Sequence, residues 1–401
     1  LAFLESDNDG SSNYYMTWRD IDNIDSPSKI MSARSANSGS SWNTPINVDG
    51  IDSGDNNEFR ASPTVQANND RVLVVWSDEY DGSGASNDQD IVYSVSTNDG
   101  STWADIEDIS EHYYEADSGS PSIDYSGDYL YLVYLDNGDY DQEGDTNGCD
   151  QSARDGDVYF TRSDNGGESW EELSVLSNFD DDYGTDLDYS STTLQYRADV
   201  SGTGNNVHVA WTDYNGYTGV SSIYYTKSSN NGKDWSEPEK IDSGNIGVKY
   251  GLSISSNGDN VVATWTNTYN YDIYTVRSID GGSSWNDLSE WSLMYSGGGD
   301  RYVHADIHQI VFQPDNYNNF LVTSDGGIFL TTNSLDNWDN VIFTERNQGY
   351  NTLQFYSCDV ASIENGNLFV GGLQDNGTLI SDLNGTTQDN LDINDMITGG
   401  D

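Results

Sequence analysis

One run of oxygen-bearing side chains stands out in the 401-residue sequence: Asp139-Tyr-Asp141-Gln-Glu143-Gly-Asp145-Thr-Asn147-Gly-Cys-Asp150. Ligands at alternate positions, a glycine at the sixth, Asn147 at the ninth and Asp150 at the twelfth follow the spacing of a calcium loop, which wraps oxygens around a hard cation through a sharp glycine turn. The run departs from that pattern in having Glu143 where Asp or Asn is usual, a terminal Asp in place of Glu, and a strand ahead of it where a helix would stand. The expectation is calcium held by Asp139, Asp141, Glu143, Asp145, Asn147 and Asp150; the alternative is a solvated acidic loop. Glu5-Ser-Asp7-Asn-Asp9-Gly10 has similar spacing, which ordinary turn chemistry also explains. His304, Asp306 and His308 alternate along a strand pattern and would share one face, as a metal site or as hydrogen-bonded structure. A glycosidase needs two carboxylates facing each other across a sugar bond. With 68 acidic residues, proximity of two is inevitable and diagnoses nothing. There is no Ser/His/Asp triad, glycine-rich phosphate loop or cysteine cluster.

The elements that must position these groups are written in the composition. Asp and Glu outnumber Lys and Arg by 68 to 15, for a formal net charge of -53, and 53 of the acids are Asp. Nucleic acid is excluded as a partner, because phosphate recognition needs cations to displace counterions; an anionic membrane surface is disfavoured for the same reason. No apolar run approaches the roughly 20 residues of a membrane helix. The 11 Trp, 28 Tyr and 10 Phe are too many for a disordered acidic chain, so a core is buried. Asp, Asn, Ser, Gly, Thr and Tyr are the residues of short strands and tight turns, which makes the fold class all-β.

A repeat runs through the chain as Ser-x-x-x-Gly-x-x-Trp. It reads Ser35-Ala-Asn-Ser-Gly-Ser-Ser-Trp42, Ser96-Thr-Asn-Asp-Gly-Ser-Thr-Trp103, Ser163-Asp-Asn-Gly-Gly-Glu-Ser-Trp170, Ser228-Ser-Asn-Asn-Gly-Lys-Asp-Trp235 and Ser278-Ile-Asp-Gly-Gly-Ser-Ser-Trp285. Worn copies begin at Thr331 and Ser381. Ahead of each good box after the first comes a strand such as Asp90-Ile-Val-Tyr93, ahead of that a strand ending in an aromatic such as Val72-Leu-Val-Val-Trp76, and in several units an opening strand such as Ser62-Pro-Thr-Val65. Four strands per roughly 50 to 65 residues predict a β-propeller of four-stranded antiparallel blades. Seven copies predict about seven blades, or six if the last worn unit belongs elsewhere, in a single domain over 1–401.

The boxes resemble the Asp-box, or BNR, repeats of the sialidase-like β-propellers, and the resemblance covers nearly the whole chain. The same box occurs in sialidases, xyloglucanase-type hydrolases, sortilin-type receptors and non-catalytic surface proteins, so it speaks to fold and not to activity. His304-Ala-Asp-Ile-His308, Asp325-Gly-Gly327, Gln374-Asp-Asn-Gly-Thr378 and Gly399-Gly-Asp401 resemble a secreted version of the family that usually continues past the last motif; the chain is expected to be a fragment. The box itself is expected to be structural, its short polar side chains closing a turn and its Trp packing between blades.

In such a blade the boxes share one face with the turns between strands one and two. The other face carries the two-to-three loops and the crossings between blades, and there propeller sites gather. The calcium-type loop falls there, and so do four cations at or just before first strands: Arg60, Arg197, Lys249 and Arg301. Sialidases hold a substrate carboxylate with three arginines from comparable places, since guanidinium forks match carboxylates. Phe59-Arg60-Ala-Ser-Pro63 resembles their Phe/Tyr-Arg-Ile-Pro motif but lacks the Ile and is one residue too long, and no Tyr-Glu pair or acid/base Asp falls on matched positions. The alternative is that these cations neutralise nearby Asp and hold blades together.

Cys149 and Cys358 permit a disulfide without implying one, and Asn376-Gly-Thr378 and Asn384-Gly-Thr386 are formal glycosylation acceptors. The expectation is an extracellular or cell-surface propeller acting as a binding or structural module, taking a glycan or protein ligand at the channel face, with calcium. Its rivals are an exo-acting glycoside hydrolase and a self-assembling subunit of a surface filament or layer. The abundance of Asp suits an exported protein of salty water, where screening cuts self-repulsion.

Overall fold

The structure is a computed structural model that describes residues 4–8, 13–20, 28–50, 60–68, 71–78, 89–110, 118–136, 157–177, 197–215, 219–242, 247–269, 272–288, 299–303, 307–313, 316–324, 327–336, 340–346, 355–363, 366–373 and 378–382. The described elements form six four-stranded sheets and a seventh of three strands, every pairing antiparallel between strands consecutive in sequence. Sheet I holds β1 (Leu4–Asn8), β2 (Tyr14–Asp20), β3 (Lys29–Ser35) and β4 (Ile46–Asn47). Sheet II holds β5 (Arg60–Asn68), β6 (Arg71–Asp78), β7 (Asp90–Ser96) and β8 (Glu107–Asp108). Sheet III holds β9 (Ser118–Ser126), β10 (Tyr129–Asp136), β11 (Asp157–Ser163) and β12 (Ser174–Val175). Sheet IV holds β13 (Ala198–Thr203), β14 (Asn206–Asn215), β15 (Val220–Ser228) and β16 (Glu239–Lys240). Sheet V holds β17 (Lys249–Asn257), β18 (Asn260–Asn267), β19 (Asp272–Ser278) and β20 (Asn286–Asp287). Sheet VI holds β21 (Ile307–Gln313), β22 (Asn316–Ser324), β23 (Gly327–Thr331) and β24 (Phe343–Glu345); sheet VII holds β25 (Phe355–Ile363), β26 (Gly366–Leu373) and β27 (Thr378–Asp382). This is the expected all-β propeller. First strands of successive sheets pack on one another from β1 to β21, so they line the central channel.

Second strands such as β6 and β10 are near-continuous apolar runs because neighbouring sheets cover both their faces. The core is accordingly a series of seams. Trp76 packs with Tyr15 and Ile30 of sheet I, Trp211 with Tyr131 and Leu135 of sheet III, and Trp265 with Ala210 and Ile223 of sheet IV.

The five full boxes close the turn after the third strands of sheets I to V. Ser35 Oγ accepts the Gly39 amide at 2.9 Å while Asn37 Oδ1 accepts the Ser41 amide at 2.8 Å. The same two bonds recur from Ser96 and Asn98, Ser163 and Asn165, Ser228 and Asn230, and Ser278 and Asp280. Bonds from Ser284 and Ser278 hold the Asp280 carboxyl down at about 2. Trp170, Trp235 and Trp285 lie edge-on against Tyr93, Phe160 and Tyr225 of the preceding sheet, with centroids 5.8, 4.7 and 4.9 Å apart. The box is thus both a turn and a joint between blades.

Candidate functional site

The face carrying the crossings is built by one repeated device. After the outer strands of sheets I to IV, a short side chain turns back to accept the amide of a third-strand residue: Asp49 from Ile30 at 3.1 Å, Ser110 from Ile91 at 2.8 Å, Ser177 from Val158 at 2.9 Å and Asp242 from Ile223 at 2.7 Å. In three of these four the residue opening the next sheet matches the cap. Asp49 is followed by Arg60 and Asp242 by Lys249, whereas Ser110 is followed by Ser118.

Arg60 Nε stands 3.1 Å from Asp78 Oδ2 and 3.4 Å from Asp49 Oδ2. Its Nη1 donates to the Ser28 carbonyl at 2.9 Å, and its backbone amide to Ser28 Oγ at 2.8 Å. Trp76 Nε1 donates to the same Asp78 oxygen at 2.8 Å. Lys249 repeats the arrangement three sheets on: Nζ is 3.2 Å from Asp242 Oδ2 and donates to the Ser221 carbonyl, and the amide reaches Ser221 Oγ at 2.5 Å. Burial pushes the Lys249 pKa below its ordinary value, and the Asp242 carboxylate opposes that shift. In sheet III, Ser118 Oγ donates to Asp136 at 2.5 Å where Arg60 meets Asp78 in sheet II.

Arg60 and Lys249 are 2% and 1% exposed, so both stand inside seams and neither is presented to a ligand at the channel mouth. The alternative set out for these cations, neutralising Asp and holding blades together, is the arrangement found at both. The local cause is a bulge: β5, β9 and β17 each break register just after their first residues, with Ser62, Ser120 and Gly251 at φ of 49, 54 and 65°. A bulge re-aims the strand end. Arg197 is half-buried directly before β13, where its carbonyl accepts the Thr212 amide at 3.3 Å, and Arg301 is half-buried ahead of β21. The four cations thus belong to four different sheets.

The channel wall carries acids. Asp7 Oδ2 of β1 accepts the Ala67 amide of β5 at 2.6 Å, Asp124 of β9 accepts the Gly202 amide of β13 at 2.7 Å, and Asp199 of β13 accepts the Ile254 amide of β17 at 2.8 Å. Ser201 takes the Ser256 amide in the same manner at 2.9 Å. Each therefore joins its blade to the next. Desolvation pushes the Asp124 carboxyl up to about 7; its bonds from Gly202 and Tyr125 pull the other way, and Asp7 and Asp199 add to the rise. Glu5 and Asp7 of the second calcium-like run lie in β1; Asp9 and Gly10 lie outside the described residues.

The loop from Asp139 to Asp150 also lies outside the described residues, as do His304 and Asp306 and the side chain of His308. Among the described residues, no group of three or more His, Cys, Asp or Glu is placed to hold a metal ion. His208 is buried with Nδ1 2.7 Å from the Tyr225 hydroxyl, and desolvation holds its pKa down at about 4, so it is a neutral core residue.

On the opposite face, cations reach the box of the next sheet. Arg34 pairs with Asp99 at 3.1 Å, Arg71 with Glu168 at 2.7 Å, Lys227 donates to the Gly281 carbonyl at 2.6 Å and Arg277 to the Asp336 carbonyl at 3.1 Å. Arg162 donates to the Asn231 carbonyl and chelates Glu171 through two bonds of 2.8 Å. These five, with Arg60 and Lys249, are seven of the chain's 15 Lys and Arg. Sequence reasoning passed over the five, although a signal was present: Arg34, Arg162, Lys227 and Arg277 each immediately precede a box serine.

No protein-family model matches the sequence, and no curated protein matches it. Solved structures do share the fold. The GH74 enzyme of Niastella koreensis is 16% identical with a TM-score of 0.54, the match covering 94% of this chain and 51% of that one. The GH74 xyloglucanase of Xanthomonas campestris is 12% identical with a TM-score of 0.51 at the same coverages. The α-L-arabinanase of Penicillium chrysogenum, solved with arabinobiose, is 13% identical with a TM-score of 0.50, covering 85% of this chain and 94% of that one. This chain spans about half the length of the two GH74 enzymes. The resemblance to sialidase-like propellers, the xyloglucanase type included, is borne out at the level of fold.

Proposed function

We propose that this chain is an extracellular or cell-surface β-propeller that serves as a binding or structural module, with glycans as the ligand class. The observation that carries the reading against a sialidase is the burial of Arg60 and Lys249 in ion pairs with Asp78 and Asp242. A guanidinium or ammonium held in this way cannot turn to a substrate carboxylate without leaving a buried acid unpaired. Glycans are favoured because the solved structures that share the fold include a xyloglucanase and an arabinanase. The same comparison supports the second reading, a glycoside hydrolase acting on neutral sugars through two channel-face carboxylates.

Calcium at Asp139, Asp141, Glu143, Asp145, Asn147 and Asp150 belongs to the proposal on the strength of ligand spacing. The filament reading is less favoured. The fourth strands of sheets I to VI are two or three residues long, and β8, β16 and β20 present exposed charged or polar residues, which makes poor templates for edge pairing.

The deciding experiment is a panel of sialosides and neutral plant and algal oligosaccharides, assayed for binding and for hydrolysis, with Arg197→Ala alongside. Binding without turnover supports the module. Release of sugar from neutral substrates establishes the hydrolase, and sialoside cleavage abolished by Arg197→Ala would restore the sialidase reading.

A further inference from the structure

A hydroxyl recurs at one register position of the second strands. It follows the buried aromatic of the strand: Ser77 after Trp76, Thr212 after Trp211 and Thr266 after Trp265, while sheet III has Leu135 after Tyr134 and sheet I has Arg19. Side chains alternate across a strand. Since the three tryptophans pack toward the preceding sheet, the residue after each faces the following one. Consistent with this, a Cβ on Gly119 of β9 would lie 3.9 Å from Ser77 Oγ.

All three residues are about 1% exposed, and none of the three hydroxyls has a hydrogen-bond partner among the described residues. Buried polar groups in native proteins are nearly always partnered. The strands they face share a second property. β9 breaks register around Ser120, β17 between Tyr250 and Ser253, and β21 between Ile307 and Gln309. β13, which faces Leu135, pairs without a break from Ala198 to Thr203. A bulge leaves one residue out of the ladder and so frees backbone groups beside the seam. Each of the three hydroxyls therefore faces a bulged strand and the apolar residue faces the unbroken one, while the remaining bulged strand, β5, follows sheet I, which has Arg19 at this position.

We infer that the seams beside Ser77, Thr212 and Thr266 are three built water sites, each holding one buried water between the hydroxyl and the bulged first strand of the next sheet, and that the Leu135 seam is dry. Such a water takes two to four polar partners, which a hydroxyl and a bulge together supply. It ties the second strand of one blade to the strand whose bulge sets the floor of the loop face.

A high-resolution crystal structure of the whole chain tests this directly. The expected result is one ordered water within hydrogen-bond distance of Ser77 Oγ, Thr212 Oγ1 and Thr266 Oγ1, and none against Leu135; three dry seams, or a water at all four, would overturn it. Thr212→Val, which keeps shape and removes the hydroxyl, gives a second reading by melting temperature. A bridged hydroxyl predicts a Tm lowered by about 2 °C or more, with Thr212→Ser retaining the wild-type value. An orphan hydroxyl in a dry seam predicts a raised Tm for Thr212→Val, which contradicts the inference.

Discussion

Arg60 and Asp78, the first residue of β5 and the last of β6, are register partners whose side chains meet at 3.1 Å with neither exposed beyond 2%. The pair shows what the scarce cations of this acidic chain do. A buried pair of this kind is weak evidence of net stability when compared with apolar replacements, but breaking it from one side is costly. Arg60→Met should lower the unfolding free energy by about 3–5 kcal/mol, because Asp78 and Asp49 are left buried without it. Glu168→Ala, which removes the exposed partner of Arg71, should lower it by no more than about 1 kcal/mol. Equal losses in urea unfolding would contradict the ranking.

The box glycines divide by their surroundings. Gly282 has φ of +82°, and a Cβ there would meet the Tyr225 hydroxyl at 1.9 Å; Gly39 has φ of +79° with nothing within 4 Å. Gly39→Ala should lose about 1 kcal/mol from backbone strain alone. Gly282→Ala must also displace a ring at the blade joint and should lose at least twice as much, read as the difference between the two melting curves.

Two buried groups give pH dependences of opposite sign. Asp124 is raised to about 7, so between pH 4 and 7 the folded state holds a proton that the unfolded chain has released, and its contribution falls as pH rises. His208 is lowered to about 4, so between pH 4 and 6.5 the unfolded chain binds the extra proton, and its contribution rises with pH. Relative to wild type, the stability of Asp124→Asn should climb from pH 4 to 7 and that of His208→Gln should fall from pH 4 to 6.5. Parallel pH profiles for all three proteins would contradict both assignments.

Salt should stabilise this protein. At a net charge of -53, exposed acids repel one another across a screening length of about 10 Å at 0.1 M ionic strength, whereas the buried seam pairs are screened far less. Tm should therefore rise steadily as sodium chloride increases to molar concentration; a fall would mean that exposed ion pairs dominate.

Much of the architecture was legible because a propeller writes each blade in nearly the same words. The boxes placed the turns, the apolar runs before them placed the second strands, and the Trp of each box foretold a joint between blades. The direction of Arg60 and Lys249 was not legible. Both stand at first-strand starts, as expected, but a backward turn at Ser62 or Gly251 carries each side chain into the seam, and no period in the sequence announces a bulge. The pairing of Asp49 with Arg60 and of Asp242 with Lys249 was present in the sequence. It acquires meaning only once the crossing brings cap and strand start together.

A double-mutant cycle on Arg60 and Asp78, measured by urea unfolding, tests the role of these cations most directly. If Arg60 is a seam residue, Arg60→Met and Asp78→Leu each destabilise strongly, and the double variant is far less destabilised than the sum, with a coupling of about 2–3 kcal/mol. Additive losses, or an Arg60→Met protein as stable as wild type, would contradict the account and return Arg60 to the list of residues free to bind a ligand.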